Sequence, residues 1–436
     1  MRASWALGVG LCLLGRTLAA EPTFSRDVAP IVLKHCAGCH RPGQVAPFSL
    51  LTYREVKKRA NLIRQVVESR QMPPWKPREG HGDFADIRRL TKSQIETIRH
   101  WIELGCPEGS PKDLPTPPKF RDGWQLGQPD VVLRMPRPFK VPAEGPDIYI
   151  HFVMPLNLPP DRFLRGIECR PSNLRVAHHA VAVFDHTGTA RELNRRAGGL
   201  GYRNAGGPGF TPLSIFPIYV PGRTPRLFPP GASMYVPPGT DFVLEMHYHS
   251  TGKEEVDQTE VGIYLTKQPP TRSMLGVMLS TAEIDIPPGE ARYVVSDHFV
   301  LPVDLIADAV WPHMHLVGKE VRAWAELPSG WVERLIWIDD WDFNQQEMYR
   351  FRKPIRLPKG TVIRAEWRYD NSETNLRNPS RPPRRVRHGE GSEDEMAVLW
   401  LSGEVASEVD RQVLIQANLQ HAMGLIERAA EFKKGR

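Results

Sequence analysis

Hydrophobic and polar residues alternate one by one in several stretches beyond residue 125, with prolines and glycines between them. In the clearest stretch, one face of a strand would be formed by Phe242, Leu244, Met246 and Tyr248. The opposite face would carry Val243, Glu245, His247 and His249. Such period-two patterning is typical of half-buried β-strands, and the 42 prolines favour turns and edge strands over long helices. The pattern therefore predicts an all-β body of the sandwich or jelly-roll type.

Helical periodicity is largely confined to the two ends of the chain. Three stretches carry apolar residues at helical spacing: 24–35, 91–104 and about 407–434. Ser25 is the expected cap of the first helix, and Thr91 with Gln94 has the spacing of a capping box for the second. Several prolines between residues 107 and 120 predict a stiff linker between this helical part and the β body.

Composition and the N-terminus limit the classes of function. A chain of 436 residues is too long for one ordinary core, so two or three domains are expected. Arg2, the short apolar run 5–14 and Leu18-Ala19-Ala20 are typical of a secretion signal. Its removal would lower the formal charge from +7 to +5, a modest excess that predicts no nucleic-acid partner. No later segment reaches membrane-spanning length, so we expect a periplasmic or secreted protein without a transmembrane segment.

The predicted first helix runs directly into Cys36-Ala37-Gly38-Cys39-His40. This C-x-x-C-H pattern is the attachment motif of c-type haem, in which two thiols bind the porphyrin and the adjacent imidazole binds the iron. A small disulfide loop or half of a zinc site is the alternative. Met72, in a proline-rich turn, is the expected sixth iron ligand, unless it fills a core gap and His35 or His81 takes that place.

The remaining cysteines leave two readings open. Cys12 would be removed with the signal peptide. Cys106 and Cys169 could then form a disulfide in an oxidising compartment or remain two buried free thiols.

Histidines recur within the β body in pairs that are spaced for metal binding. The pairs are His178-His179, His247 with His249, and His313 with His315. In a His-x-His pair on an extended segment, both rings lie on the same face. Adjacent histidines can bind one metal only at a bulge or at a strand end. Imidazole suits zinc, copper, iron or nickel, and a thioether such as that of Met396 shifts the choice towards copper.

Five motifs follow one another in a characteristic order. They are His178-His179, His247-Tyr248, Ile286-Pro287-Pro288-Gly289-Glu290, His313-Met314-His315-Leu316-Val317-Gly318-Lys319 and Asp394-Glu395-Met396. This order resembles the copper type II, ascorbate-dependent monooxygenases, the family of the peptidylglycine α-hydroxylating and dopamine β-monooxygenases. The resemblance covers about residues 125–405. It implies two jelly-roll domains, each with one copper ion, that face each other across a solvent-filled cleft. Residues 22–110 resemble a small class I cytochrome c.

The resemblance also implies the ligands and the reaction. By position, His178, His179 and His247 would hold an electron-storing copper ion, with His249 as the alternative to His247. The oxygen-activating copper ion would be held by His313, His315 and Met396. The implied activity is hydroxylation of a C–H bond in a small organic substrate with O2. Its two electrons would come from an ascorbate-like reductant or a periplasmic redox protein, and we expect the c-type haem to relay them to the first copper ion.

Two positions depart from the family. In the peptide-hydroxylating enzyme, an arginine two residues before the His-x-His pair and a tyrosine four residues after the methionine help to hold the substrate carboxylate. Here these positions are Trp311 and Trp400. A glycine-extended peptide is therefore not expected as substrate, and two indoles predict an apolar or aromatic surface near the oxygen site.

Two other functions would use the same sequence features. The first is a periplasmic haem/copper electron-transfer or copper-binding protein that does not hydroxylate anything. The second is a haem protein with a carbohydrate-binding β-sandwich, which would contain no copper.

Together these patterns divide the chain into six parts. They are a signal peptide (1–20), a cytochrome c domain (21–110), a Pro-rich linker (111–124), two copper monooxygenase-like β domains (125–270 and 271–406) and a C-terminal helix (407–436).

Overall fold

The computed structural model describes residues 20–204 and 207–434, so the predicted signal peptide lies outside the described residues except for Ala20. Helices are few and β-sheets dominate the described chain, which confirms the prediction of a mostly-β body. Within the described residues, no helix combines the length and the apolar character needed to cross a membrane.

From residue 131 onward, the described residues form twenty strands. The first ten are β1 Val131–Arg134, β2 Phe139–Val141, β3 Ile148–Pro155, β4 Phe163–Arg170, β5 Ala177–Asp185, β6 Ser214–Tyr219, β7 Ala232–Ser233, β8 Asp241–Tyr248, β9 Glu255–Asp257 and β10 Glu260–Thr266. The others are β11 Arg272–Thr281, β12 Asp285–Ile286, β13 Tyr293–Val300, β14 Leu305–His313, β15 Gly318–Glu326, β16 Val332–Ile338, β17 Tyr349–Leu357, β18 Val362–Tyr369, β19 Val386–Arg387 and β20 Ala397–Val405.

The helices lie mainly before and after the strands. They are α1 Ala29–His35, α2 Tyr53–Lys57, α3 Ala60–Glu68, α4 Lys92–Glu103, α5 Thr189–Arg196 and α6 Glu408–Lys434, with a π-helical turn at Phe24–Val28 and a 3₁₀ turn at Pro111–Asp113. The predicted capping box of α4 is present, with Thr91 and Gln94 bonded reciprocally. The predicted cap of the first helix is wrong. Thr23 accepts the backbone N–H of Arg26 instead, because the Ser25 hydroxyl is buried and donates to the Glu108 carbonyl.

The first β unit consists of a four-stranded sheet, β3-β8-β5-β6, and a three-stranded sheet, β1-β10-β4. Apolar side chains from both sheets form one core. The alternation predicted for 242–248 is found in β8. Phe242, Leu244, Met246 and Tyr248 all belong to that core. His247 and Val243 therefore lie on the outer face of the four-stranded sheet.

The second β unit consists of a five-stranded sheet, β17-β14-β20-β11-β7, and a four-stranded sheet, β13-β18-β15-β16. Their facing side chains form one core, to which α6 contributes Leu414. The neighbouring strands β14 and β20 are antiparallel, with Trp311 opposite Trp400 and His313 opposite Val398.

The N-terminal helices have their own apolar core, which includes Cys106, while Cys169 lies in the core of the first β unit. The two thiols are therefore free rather than paired.

The segment after α3 leaves the helical part. Phe84 belongs to the core of the second β unit, and Trp75 packs against it. Residues 75–85, predicted within the N-terminal domain, thus fix that domain to the second β unit.

Candidate metal centre

Three imidazoles converge on the outer face of the first β unit. His179 on β5 lies directly opposite His247 on β8, and the register of this pair of strands shifts between Ala177 and His179. The extra residue at this bulge is His178, whose ring turns to the same face as the ring of His179. The bulge that adjacent histidines require for a shared site is therefore present. We call these three residues the first histidine cluster.

The three Nδ1 atoms of this cluster form a small triangle. Nδ1 of His178 lies 3.2 Å from that of His179 and 3.0 Å from that of His247, and the third side is 3.2 Å. An imidazole nitrogen either donates a hydrogen bond or accepts one, so three of them cannot satisfy one another. The centre of such a triangle lies about 1.8 Å from each corner, close to the about 2.0 Å of a metal–imidazole bond. The cluster could hold a metal ion.

Burial keeps the rings of His178 and His179 neutral. Together with the neighbouring His247, it lowers the pKa of His178 to about 3. The pKa of His179 is held well below its ordinary value by the same two causes. Neutral imidazoles leave their lone pairs free for a metal ion.

Asp147 orients the first cluster. His247 Nε2 lies 2.8 Å from Asp147 Oδ2, so the ring donates there and its Nδ1 keeps a lone pair. Burial alone would raise the pKa of Asp147, but hydrogen bonds from His247, Ser392 and His249 outweigh it, and the pKa is lowered. His249 is mostly exposed and bonds the second oxygen of this carboxylate at 2.7 Å. The structure thus brings His247, and not His249, into the cluster.

His313 and His315 form the second histidine cluster, at the end of β14. Their Nε2 atoms are 3.2 Å apart. The Gln346 amide donates to the Phe343 carbonyl at 2.9 Å, so its oxygen faces His313 and accepts from Nδ1. His315 Nδ1 donates to the Asp394 carbonyl at 3.1 Å. Both Nε2 atoms therefore carry lone pairs directed into the same space. Burial lowers the pKa of His313 to about 4 and that of His315 to about 3.

The backbone of Met396 lies near this second cluster. Met396 comes directly before β20, two residues ahead of Val398, the partner of His313. The carboxylate of the preceding Glu395 is buried and accepts the backbone N–H groups of His315 and Val317, each at 2.8 Å. This carboxylate ties the His-x-His segment to the methionine segment. Its burial raises the pKa of Glu395 to about 8, against the opposing effect of these donors.

The two clusters lie next to each other. The ring centroids of His179 and His313 are 6.5 Å apart. The buried Phe343 ring stacks on His178 at 5.2 Å and meets His315 edge-on at 5.9 Å. The two β units are therefore in contact at the clusters, because Phe343 lies against histidines of both.

The C-x-x-C-H segment lies at the end of α1. His40 Nδ1 donates to the Phe48 carbonyl at 3.1 Å, which leaves Nε2 available as a ligand. Both thiols are free, and burial raises the pKa of Cys36 to about 12. Met72 is 39% exposed. The alternative ligands are engaged elsewhere. His35 contacts Gln94 at 3.3 Å, and the His81 ring packs on Trp337 of the second β unit at 4.7 Å.

This segment lies against the first β unit, and the nearby Arg88 links it to the second. A Cβ on Gly222, in the loop after β6, would lie 3.0 Å from Cys39 Sγ. Arg88 donates to the Gly222 carbonyl at 3.2 Å and forms an ion pair with Glu347. Glu347 directly follows Gln346, the partner of His313. The loop between β16 and β17 therefore connects the surroundings of Cys39 with both histidine clusters.

Sequence reasoning missed the residues that orient the rings. Asp147, Gln346 and Phe343 lie far along the chain from the histidines that they contact, and no local pattern marks them. The sequence draws attention to Glu395 only through its place beside Met396 in a motif, and this place does not indicate what the carboxylate does.

Comparison with known proteins adds little to this geometry. No family model matches the chain, and no curated protein matches it. Among solved structures, it is similar to PNGF-II in two crystal forms, with 8% and 11% identity, TM-scores of 0.25, and coverage of 63% of this chain and 64% of that one. It is also similar to the PBSX exported protein XepA, at 7% identity and a TM-score of 0.17, over 55% of this chain and 86% of that one.

Proposed function

We propose that this chain is a copper-dependent monooxygenase that uses O2 to hydroxylate a C–H bond of a small organic substrate. The observation that carries the proposal is the meeting of two imidazole clusters, one from each β unit. In His247, His313 and His315, the ring nitrogen that points away from the cluster is held by an oxygen acceptor. Such outer contacts orient metal ligands in proteins. The order of the motifs, which resembles the copper type II monooxygenases with their two jelly-roll domains, supports the same function.

The two metal sites would differ in their ligands. His178, His179 and His247 would hold one copper ion, and His313, His315 and Met396 the other. The mixed nitrogen and sulfur set suits copper, whose reduced form is soft. When bound, the two ions supply one-electron chemistry with O2, which adds one oxygen atom to the substrate as hydroxyl and releases the other as water. The protein contributes the imidazoles of His178, His179, His313 and His315, which burial keeps neutral.

The substrate would be apolar or aromatic near the bond that reacts. Trp311 and Trp400 lie opposite each other in the register of β14 and β20. Trp311 is two residues from His313, so both side chains belong to the same face of the strand. Two indoles offer a large apolar surface and no cation for a carboxylate.

Electrons would reach the copper sites through a c-type haem. Cys36 and Cys39 would bind the porphyrin, and His40 and Met72 would be the axial ligands, a pair that suits electron transfer. The His40–Phe48 contact supports this, because it leaves Nε2 for the iron. The connection from Arg88 to Glu347, and through Gln346 to His313, gives a short path from the vicinity of Cys39 to the second cluster. A C-x-x-C-H motif after a secretion signal fits a periplasmic or secreted protein.

Metal analysis and product analysis test the proposal. We expect two copper ions and one iron per chain, and Met396→Ala should weaken the binding of only one copper ion. Oxygen consumption should depend on a C–H substrate, and ¹⁸O2 should label the hydroxyl product. Two bound copper ions without substrate-dependent oxygen consumption would favour a non-hydroxylating electron-transfer or copper-binding protein. The absence of bound copper would contradict both functions.

A further inference from the structure

We infer that α6 is the surface through which two copies of this chain associate, with the two helices packed antiparallel around a two-fold axis. The inference goes beyond the proposed function and does not depend on it, because α6 contains none of the candidate metal or haem ligands. Three features of the helix support it: contact with its own chain along one face, an apolar stripe on the opposite face, and opposite charges at its two ends.

One face of α6 holds it to the second β unit. Of the described residues of this helix, Leu414 alone is buried, and it joins the core of that unit. On the same face, the Asn418 amide donates to the Gly276 carbonyl at 2.9 Å, and His421 Nε2 lies 2.8 Å from Asp297 Oδ2. A helix of 27 residues is about 40 Å long, at 1.5 Å per residue. Such a long helix with a single buried residue offers most of its surface to another partner.

The opposite face of α6 carries an apolar stripe that faces solvent. Its exposed large apolar side chains are those of Val409, Val413, Leu419, Met423 and Ile426. Met423 is 62% exposed and Ile426 is 69% exposed. Together with the exposed Gln416, these residues follow one another in steps of three or four. This is the spacing of a seam between two packed helices. Apolar side chains exposed in one row, rather than singly, mark an interaction surface.

The charges at the two ends of α6 favour a second copy in antiparallel orientation. The first turn contains Glu408 and Asp410, and the last turn contains Lys433 and Lys434. In an antiparallel pair around a two-fold axis, the acidic end of each helix lies beside the basic end of the other, so the attraction occurs twice. A parallel pair would instead place like charges side by side.

The apolar stripe fits the same register as the charges. When Glu408 is set opposite the partner's Lys434, Leu419 falls opposite the partner's Met423, and Gln416 falls opposite the partner's Ile426. One alignment therefore satisfies both the ends and the middle of the helix.

A lipid surface fits this helix less well. α6 contains four acidic and four basic residues, so it carries no net positive charge that would attract anionic lipids. Helices that lie on membranes are typically rich in lysine and arginine on their polar face.

Sedimentation velocity of the full chain at increasing protein concentration tests the inference. Wild type should shift from the mass of one chain to twice that mass. The double variant Met423→Glu/Ile426→Glu places two charges in the stripe and should keep the mass of one chain. Leu376→Glu, at an apolar side chain that is 85% exposed on a loop of the second β unit, is the matched control and should associate like wild type. All three side chains are exposed, so the fold should be retained, which thermal melting checks. Val409→Glu provides a second, independent variant of the stripe.

Charge reversal tests the orientation of the pair. Glu408→Lys should weaken association, and the triple variant that also carries Lys433→Glu and Lys434→Glu should restore it. Weakening without recovery in the triple variant would contradict the antiparallel arrangement.

Three outcomes overturn the inference. The first is a wild-type protein that keeps the mass of one chain at every concentration. The second is a dimer that persists in Met423→Glu/Ile426→Glu. The third is a single chain that co-sediments with anionic phospholipid vesicles in wild type but not in the double variant, which would assign the stripe to a lipid surface. The wild-type measurement requires no variant, so it stands even if a substitution prevents folding.

Discussion

The Nε2 atom of His247 lies 2.8 Å from the Oδ2 atom of Asp147, whose side chain also accepts a hydrogen bond from Ser392 of the other β unit. One carboxylate thus orients a candidate metal ligand and joins the two halves of the β body. Neither role is visible from the position of Asp147 in the chain, one hundred residues before His247.

Asp147→Asn should weaken copper binding at the first cluster. The amide can turn its NH2 group towards His247, which favours the ring form with the proton on Nδ1 and removes the lone pair from the metal side. Loss of such an outer contact typically costs about 10- to 100-fold in metal affinity. Competition with a copper chelator measures it. His249→Ala, which removes the exposed partner of the same carboxylate, is the control and should have little effect. Equal affinities in Asp147→Asn and wild type would contradict the proposed orientation.

Gln346→Ala should weaken only the second copper ion, because it removes the acceptor for His313 Nδ1. We expect a loss of about 10- to 100-fold in affinity for one of two ions, with the other unchanged. Stepwise copper titration resolves the two sites. Asn344→Ala, an exposed position on the same loop, should leave both affinities unchanged. A uniform loss at both sites would indicate general unfolding of the loop instead.

Glu347→Gln should slow electron transfer from the haem to the copper ions. The substitution removes the charge that pairs with Arg88 beside Cys39, and so loosens the N-terminal part from the β body. In stopped-flow mixing of the reduced protein with oxygen and substrate, oxidation of the haem should keep pace with product formation in wild type and slow several-fold in the variant. A haem that stays reduced while product forms at full rate would contradict the relay.

A matched control for this experiment lies on the same segment. Asp83 forms an exposed ion pair with Arg352 of the second β unit, with side chains 70% and 53% exposed. Exposed pairs contribute little to stability. Asp83→Ala should therefore leave the rate of haem oxidation unchanged.

Removal of copper should destabilise the folded protein, because a ligand that binds only the native state stabilises it by mass action. At a free copper concentration one hundred times the Kd, one site contributes about 2.7 kcal/mol. Thermal melting with and without a copper chelator should show the difference. In His178→Ala, the copper-dependent part of the shift should be smaller than in wild type. An unchanged Tm on copper removal would argue against specific sites.

Asp340 should stabilise the protein in a pH-dependent way. Burial alone would raise its pKa, but hydrogen bonds from Arg377 and Lys76 outweigh it, and the pKa is lowered. A carboxyl whose pKa is lowered by folding stabilises the folded state when the pH is above its unfolded pKa of about 3.9. This stabilisation is lost as the pH falls towards the pKa of the folded state. The difference in Tm between copper-free wild type and Asp340→Asn should therefore be largest near neutral pH and shrink below about pH 4.

Asp339→Asn is the control for the pH experiment. Asp339 is the chain neighbour of Asp340 and pairs with the exposed Arg78 at 3.1 Å. Its substitution should change the Tm little, because Asp339 pairs with one exposed guanidinium, whereas Asp340 pairs with Lys76, Lys319 and Arg377. If the difference in Tm between wild type and Asp340→Asn stays constant from neutral to acid pH, the lowered pKa of Asp340 is contradicted.

Local pattern determined much of the fold. The alternation from Phe242 to Tyr248 gave the two faces of β8, and the Thr91–Gln94 spacing gave the start of α4. These features depend on neighbours in the chain, which the sequence displays directly. The same reasoning failed at Ser25, because its hydroxyl bonds Glu108, a residue that only the folded chain brings near.

For the candidate site too, local features could be predicted from the sequence and long-range contacts could not. The sequence by itself determined which residue types could bind a metal, the shared face of His313 and His315, and the need for a bulge at His178-His179. The tertiary structure alone decided that His247 rather than His249 joins that pair, that Gln346 and Asp147 orient the rings, and that Phe343 contacts both clusters. Side-chain spacing is a property of the backbone period, whereas these contacts depend on how two sheets from distant parts of the chain pack together.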